Sequence, residues 1–315
     1  MTVAVSPRVL EFYCGIGGMH YALKELFPHV DAEVVASFDI NTTTNAIYRH
    51  NFPETKLCQN NIQSITAKAF DKFAADLWTM SPPCQPFTLK GNQLGADDRR
   101  CDSLKALLDR LREMTKRPGS IFLENVVGFD GTSMHANVLE TLAELDYKIE
   151  EFVLSPVQLG IPNSRPRYYL LARMKMTPSE PAQNGEQVSR EIKKAIPDSP
   201  TEPSSSVCEY LGLEGSSTGS DGDEDEEDGL VVDPNVIGSA AVSIVDPSAT
   251  STACFTKSYG QYLVGCGSYL RREDGRIRRF SPREVSRLMS FPPSFSWPEG
   301  TTTKQLYRAL GNSVN

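Results

Sequence analysis

Between Val9 and Ala172 short apolar runs alternate with amphipathic segments of helical period, and this alternation narrows the folds open to the chain more than any other feature. Val9-Leu10-Glu11-Phe12-Tyr13 reads as a buried strand, Cys14-Gly15-Ile16-Gly17-Gly18 breaks it, and residues 19–27 carry a helical period. A second strand over residues 33–38 ends at Asp39. Helices follow at residues 42–51 and 64–73 with a brief strand near Lys56-Leu57 between them, then the strand Leu77-Trp78-Thr79-Met80. A helix over 103–114, a strand from Ser120 into Glu124-Asn125-Val126, a helix over 133–145 and strands over 149–154 and 168–172 complete the pattern. Such βα repeats predict a mainly parallel, doubly wound α/β sheet whose later strands are partly antiparallel. Ligands of these sheets bind at the carboxyl ends of strands. Gly15, Gly17, Gly18, Asp39, Cys84 and Glu124 all fall at that edge.

The strand at Leu77 runs into Ser81-Pro82-Pro83-Cys84-Gln85-Pro86-Phe87-Thr88. Its prolines fix φ near −65° and remove backbone donors, so the segment is neither helix nor central strand and holds Cys84 in one orientation. A thiol on a stiff turn at a strand end suits an attacking nucleophile, whereas a structural cysteine is usually buried on an apolar face. The octapeptide alone fits an incidental thiol on a proline-rich turn equally well.

The glycine turn lets a ligand approach the backbone, but Gly-x-Gly-Gly lacks the third spaced glycine of the dinucleotide fingerprint. Asp39, about twenty residues on, is placed to accept ribose hydroxyls, which points to an adenosine ligand; by itself it reads better as a cap on the helix that follows. Between the last two strands, Arg165 and Arg167 stand two apart on an extended segment and so point to one side. They are placed to clamp a phosphate or carboxylate, or simply to be solvated.

The 315 residues carry a net charge of −8 and seven cysteines with no Cys-x-x-Cys pair. An odd, scattered set of thiols argues against a disulfide framework and against a zinc site, so no metal is expected. No apolar run reaches the length of a membrane span and the first eight residues lack a secretory pattern, which predicts a cytoplasmic or nuclear protein that does not engage a membrane.

Taken in order, Phe12-Tyr13-Cys14-Gly15-Ile16-Gly17-Gly18, Pro82-Pro83-Cys84-Gln85, Glu124-Asn125-Val126, Arg165-Pro166-Arg167 and Gly311-Asn312-Ser313-Val314 make the chain resemble a cytosine-5 methyltransferase over nearly its whole length. Asp97-Asp98-Arg99-Arg100 and Cys254-Phe255-Thr256-Lys257-Ser258-Tyr259-Gly260 resemble the branch that methylates transfer RNA, at an anticodon-loop cytosine of aspartate tRNA, rather than DNA. The resemblance implies a Rossmann-like S-adenosylmethionine-dependent sheet with a smaller target-recognition domain. It further implies catalysis by Cys84, Glu124, Arg165 and Arg167. The cofactor, S-adenosyl-L-methionine leaving as S-adenosyl-L-homocysteine, would be held by Phe12, Gly15, Ile16, Gly17, Gly18, Asp39, Ile40, Asn61, Pro82, Asn312 and Ser313. The substrate would be touched by Cys254, Thr256, Lys257, Tyr259, Arg271 and Arg272. The implied partner is tRNA or else DNA, and the expected state a monomer. A DNA methyltransferase and an inactive nucleic-acid-binding relative are the competing functions.

After Arg173 the composition shifts. Residues 176–252 are rich in Pro, Ser, Gly and acids, and Asp221, Asp223, Glu224, Asp225, Glu226, Glu227 and Asp228 alone supply seven negative charges. From Ser251 onward ten basic residues face four acidic ones. These shifts divide the chain into a catalytic domain at 1–175, an acidic, partly disordered insert at 176–252, a target-recognition domain at 253–290 with a basic face for RNA phosphates, and a segment at 291–315 returning to the catalytic domain.

Overall fold

A computed structural model describes residues 6–26, 32–83, 101–175, 191–197, 204–212, 229–238 and 241–314. Cys84, the Asp97 to Arg100 motif and the acidic run at 221–228 lie outside the described residues. Two compact units emerge, Met1–Leu154 with Pro166–Asp198, and Ser155–Arg165 with Ser199–Asn315.

The first unit is built on the strands β1 (Arg8–Phe12), β2 (Glu33–Phe38), β3 (Leu57–Cys58), β4 (Leu77–Met80), β5 (Ser120–Val126) and β6 (Tyr147–Leu154); β7 (Asn163–Ser164) belongs to the second unit, and β8 (Arg167–Met174) returns to the first. One seven-stranded sheet has the order β3-β2-β1-β4-β5-β8-β6. Strands β1 to β5 pair in parallel, whereas β8 runs antiparallel to both β5 and β6, as the alternation predicts for the late strands. Helices α1 (Gly18–Leu26), α2 (Thr42–Asn51), α3 (Ala67–Asp71), α4 (Asp102–Glu113) and α5 (Ser133–Glu144) make the crossovers.

Burial explains the pattern. Trp78, Thr79 and Met80 of β4 are buried, as expected for a strand covered on both faces. On α4, Leu104, Leu107, Leu108 and Leu111 form one apolar stripe at helical spacing. Phe12 stacks on Phe38 at 5.1 Å and tilts against Trp78 at 4.9 Å in the middle of this core. Each such ring contributes about 1.5–3 kcal/mol by leaving water.

One helix is shorter than its sequence pattern. The segment expected as a single helix over 64–73 is a 3₁₀ turn, Ile62–Ser64, followed by α3. Thr66 separates them because its side chain accepts the Ala69 N–H and starts α3 afresh.

The second unit holds a three-stranded sheet in which β11 (Ser268–Arg271) pairs in parallel with β9 (Ser243–Val245) and antiparallel with β12 (Ile277–Arg279). The short strand β10 (Thr252–Ala253) pairs in parallel with β7. That pairing, with Thr252 donating to the Pro162 carbonyl, corrects the expected boundary: residues 155–165 join the second unit, not the first. The acidic insert likewise contributes structure. The Val232 amide donates to the Ile277 carbonyl and the Arg279 amide to Leu230, so residues 230–232 run along β12. The expected return segment is also corrected, for the helix Thr303–Gly311 buries Leu306, Tyr307 and Leu310 within the second unit. There Tyr259 meets Phe255 and Tyr307 edge-on, each at 5.0 Å.

Candidate active site

The first corner of the site is the turn after β1. Gly15 (φ 54°) and Gly17 (φ 90°) are left-handed, as is Tyr13 (φ 59°). A Cβ on Gly17 would lie 2.4 Å from the Phe52 ring, whereas one on Gly15 would meet only the Tyr13 carbonyl oxygen at 4.0 Å. Gly17 therefore serves packing, and Gly15 leaves its side of the turn open. The Gly15 amide donates to Asp39 Oδ2 at 3.0 Å and the Asn41 amide to Oδ1 at 2.8 Å, which locks the carboxylate across the turn. Burial pushes the Asp39 carboxyl up, and these backbone donors pull against that. Asn41, not Asp39, caps α2, accepting from Thr43 and Thr44. Beside Asp39 the apolar Ile40 is 72% exposed. A half-buried acceptor carboxylate, an open glycine and an exposed aliphatic side chain fit a nucleoside with ribose hydroxyls to donate.

Two expected cofactor contacts need correction. The ring of Phe12 is wholly interior and Ile16 is buried, so neither side chain is available to a ligand at the surface of the turn. The aromatic residue at the turn is Tyr13, whose hydroxyl donates to Ser103 Oγ at 2.9 Å. Asn61 caps the turn Ile62–Ser64 by accepting from the Gln63 amide.

The second corner joins β4, β5 and β8. Glu124 on β5 is nearly buried, and Arg167 Nε lies 3.3 Å from its Oε1. Register makes the pair, since Arg167 opposes Val126 two residues beyond Glu124 on β5. Asn125, fully buried, donates through Nδ2 to the Pro82 carbonyl at 3.3 Å and accepts from the Val126 amide. It ties the end of β5 to the proline segment that leads to Cys84. The Glu-Asn-Val motif contains this residue, but only the contact reveals its positioning role.

Arg165 parts from Arg167. Its guanidinium donates to the Phe255 carbonyl at 2.9 Å, to Cys254 Sγ at 3.3 Å, to the Gly311 carbonyl at 3.3 Å and to the Ser313 carbonyl, all in the second unit. The expectation that both arginines point together at a substrate group is therefore corrected: Arg165 is a buried structural clasp. Ser313 is buried under it, while Asn312 is exposed at the end of the last helix.

Four arginines of the second unit are paired with carboxylates. Arg271 Nε pairs with Asp246 at 3.0 Å, and Arg276 and Arg272 both face Asp274, at 2.7 and 3.8 Å. Arg278 makes a buried two-pronged bond to Glu284. Tyr259 is corrected from substrate contact to core, because it is buried, donates to the Ser268 carbonyl and accepts the Phe280 amide. Thr256 and Lys257 are half-buried on the backbone against which Gly311 packs.

The model of the family described as C-5 cytosine-specific DNA methylase matches residues 7–315. The chain belongs to this family. Its methylase members transfer a methyl group to carbon 5 of cytosine, which implies S-adenosylmethionine as donor. A relative from Mus musculus, named tRNA (cytosine(38)-C(5))-methyltransferase, is 36% identical over 98% of this chain and 90% of its own length. A Dictyostelium discoideum relative named DNA (cytosine-5)-methyltransferase is 34% identical over 98% of this chain and 91% of its own. Among solved structures, the S. pombe Dnmt2 methyltransferase superposes with a TM-score of 0.79 at 35% identity, covering 98% of this chain and 94% of that one. The methylase sheet with its antiparallel β8 is thus the observed fold, and the glycine turn, Asp39, Glu124 and Arg167 occupy one edge of it.

Proposed function

We propose that this methylase acts on tRNA, at an anticodon-loop cytosine of aspartate tRNA, through a covalent adduct of Cys84. The observation that carries the reading is the Glu124–Arg167 pair at 3.3 Å, fastened by Asn125 to the proline segment before Cys84. The name of the Mus musculus relative supports the choice of RNA.

Carbon 5 of cytosine becomes nucleophilic only when something adds to carbon 6, and a thiolate adds and leaves readily. The Cys84 sulfur forms the bond to carbon 6, and the displaced ring electron pair moves toward nitrogen 3, where Glu124 donates a proton. Arg167 fixes the plane of the Glu124 carboxyl for that transfer, a general-acid role worth about 10²–10⁴-fold. When bound, S-adenosylmethionine would supply the electrophilic methyl group that carbon 5 takes up. Once the carbon 5 proton has left to a base, the carbon–sulfur bond breaks, Cys84 departs as thiolate and Glu124 recovers its proton from nitrogen 3. Gly15, Asp39 and Ile40 would hold the nucleoside end of the donor. An unpaired loop base reaches such a pocket without the few kcal/mol of unstacking that a duplex costs. We place the protein in the cytoplasm or nucleus as a monomer; among the described residues no helix is long and apolar enough to cross a membrane.

The test offers methyl-labelled S-adenosylmethionine with aspartate tRNA, with other tRNAs and with duplex DNA. Label in aspartate tRNA alone is the expected result, and 5-fluorocytosine in the loop, which has no proton to lose, should trap the Cys84 adduct. The Dictyostelium relative's name favours DNA as the second reading. Label in DNA but not tRNA would establish that one, and label in neither would point to an inactive relative.

A further inference from the structure

Beneath the glycine turn lies a buried polar cluster that the proposed chemistry does not use. Glu11, on β1, is 1% exposed. Its Oε2 accepts from Ser37 Oγ of β2 at 3.0 Å and from the Tyr48 hydroxyl of α2 at 2.9 Å, and those two hydroxyls lie 2.5 Å apart. His20 Nδ1 lies 2.8 Å from the same Tyr48 hydroxyl and 4.0 Å from Glu11. Glu11 Oε1 is buried and has no hydrogen-bond partner. The carboxylate ties β1 to β2 and α2, and α1 joins the cluster through His20 and Tyr48.

The protons of this cluster have two consistent arrangements. Burial pushes His20 down to about 3, so its ring is neutral near pH 7. With Glu11 ionised, His20 Nδ1–H donates to Tyr48, and the Tyr48 hydroxyl donates to Glu11 directly or through Ser37, whose own hydroxyl donates to the carboxylate. With Glu11 protonated on Oε2, the order runs backward: Glu11 donates to Tyr48, Tyr48 to a bare Nδ1, and the His20 proton sits on Nε2. Only the first arrangement draws hydroxyl donors onto a charged acceptor, and charge-assisted bonds are roughly twice as strong as neutral ones. The His20 ring stacks on Phe52 at 3.8 Å, and Phe52 is the ring that fills the space beside Gly17. The cluster's state is thus in direct contact with the turn.

We propose that Glu11 is a positioning residue for the cofactor turn, and that the protein binds its methyl donor and product tightly only when this carboxyl is ionised and gathers Ser37, Tyr48 and the start of α1. Burial holds the Glu11 carboxyl up at about 7, against the opposing bonds from Tyr48 and Ser37, so both arrangements are populated at neutral pH. The other groups that bear on it are Asp39 at the end of β2, Cys14 just after β1, and Tyr48 and His20; burial pushes Cys14 and Tyr48 far up, leaving them neutral, and Lys24 acts on His20 from α1. A ligand selecting one of two states is weakened by the fraction of protein in the other.

The inference rests on reading the turn as the S-adenosylmethionine site, and titration calorimetry with S-adenosylhomocysteine from pH 6 to 8.5 separates the two. Wild type should bind several-fold more tightly at pH 8 than at pH 6. Glu11→Gln should bind more weakly than wild type at pH 8 and retain only the pH dependence of the ligand's own groups. Tyr48→Phe, which removes the donor shared with His20, should weaken binding and move the wild-type profile to higher pH. Matching profiles for wild type and Glu11→Gln would overturn the proposal, as would an unmoved profile in Tyr48→Phe should the first variant fail to fold. No binding by wild type would instead overturn the cofactor site itself.

Discussion

Arg165 donates to the main-chain carbonyl of Ser313, a residue 148 positions further along the chain, and the same guanidinium also holds Phe255 and Gly311. Three backbone acceptors and one thiol thus converge on a side chain that is 2% exposed. Removing it strands buried carbonyls, each at a cost of about 1–3 kcal/mol. Arg165→Ala should lower the urea midpoint by the equivalent of several kcal/mol, whereas Arg167→Ala, which leaves Glu124 without this cation, should lower it less and lower kcat. Equal destabilisation by both variants would remove the distinction between clasp and site.

Glu124→Gln keeps the shape of the side chain but takes away the proton to be delivered to nitrogen 3. A fall in kcat of about 10²–10⁴ with unchanged S-adenosylhomocysteine affinity is expected from single-turnover kinetics and calorimetry. Cys84→Ala should abolish turnover with the same retention of cofactor affinity. Weakened cofactor binding in either variant would argue that the two corners of the site are not separable.

Gly311 packs backbone to backbone. A Cβ there would fall 2.1 Å from the Thr256 carbonyl carbon and 2.2 Å from the Lys257 nitrogen, neither of which is a flexible side-chain end. Gly311→Ala should destabilise by at least the 1–3 kcal/mol of an overpacked core and weaken RNA binding, measured by fluorescence anisotropy. Gly131→Ala, where a Cβ meets nothing within 4 Å, is the control and should be nearly silent.

The buried carboxylate also shapes stability against pH. Glu11 is pushed up to about 7 from an ordinary 4.5, so the folded chain holds this proton to higher pH than the unfolded chain does. The contribution is complete below pH 4.5 and is lost as pH rises through 7, on the order of 3 kcal/mol in all. His20, pushed down to about 3, acts in the opposite sense, its stabilisation being lost as pH falls from 6.5. Because Glu11→Gln retains His20, the stability of the variant relative to wild type should rise between pH 5 and pH 8 in urea titrations. A difference independent of pH would show that Glu11 does not titrate in that interval.

The sheet was legible because period and strand ends are local properties: the βα repeat, the left-handed glycines and Glu124 at the end of β5 can all be read from neighbours in the chain. What escaped depends on partners far away in sequence. Arg271 looks cationic until Asp246 is found beside it, and Arg278 until Glu284 is. Tyr259 sits in a motif that invites a substrate role, yet its hydroxyl is consumed by Ser268 and Phe280. Two arginines at alternate positions of an extended segment would share a side, but Arg165 ends one unit and Arg167 begins a strand of the other. The spacing describes a continuous strand and not a break between units.

The direction of β8 decides which residues of the sheet meet. Because it runs against β5, its first residue lies beside the last residue of its neighbour, Arg167 opposite Val126. A co-directional strand in that place would put its first residue at the far rim, about 20 Å away over seven residues. The acid and its guanidinium are therefore joined by the reversal itself, and the chain between them is a tether whose loops, unlike its paired strands, are free in length. Doubling a flexible loop within that tether would cost only ~0.6 kcal/mol in closure entropy and would leave the pair where it is.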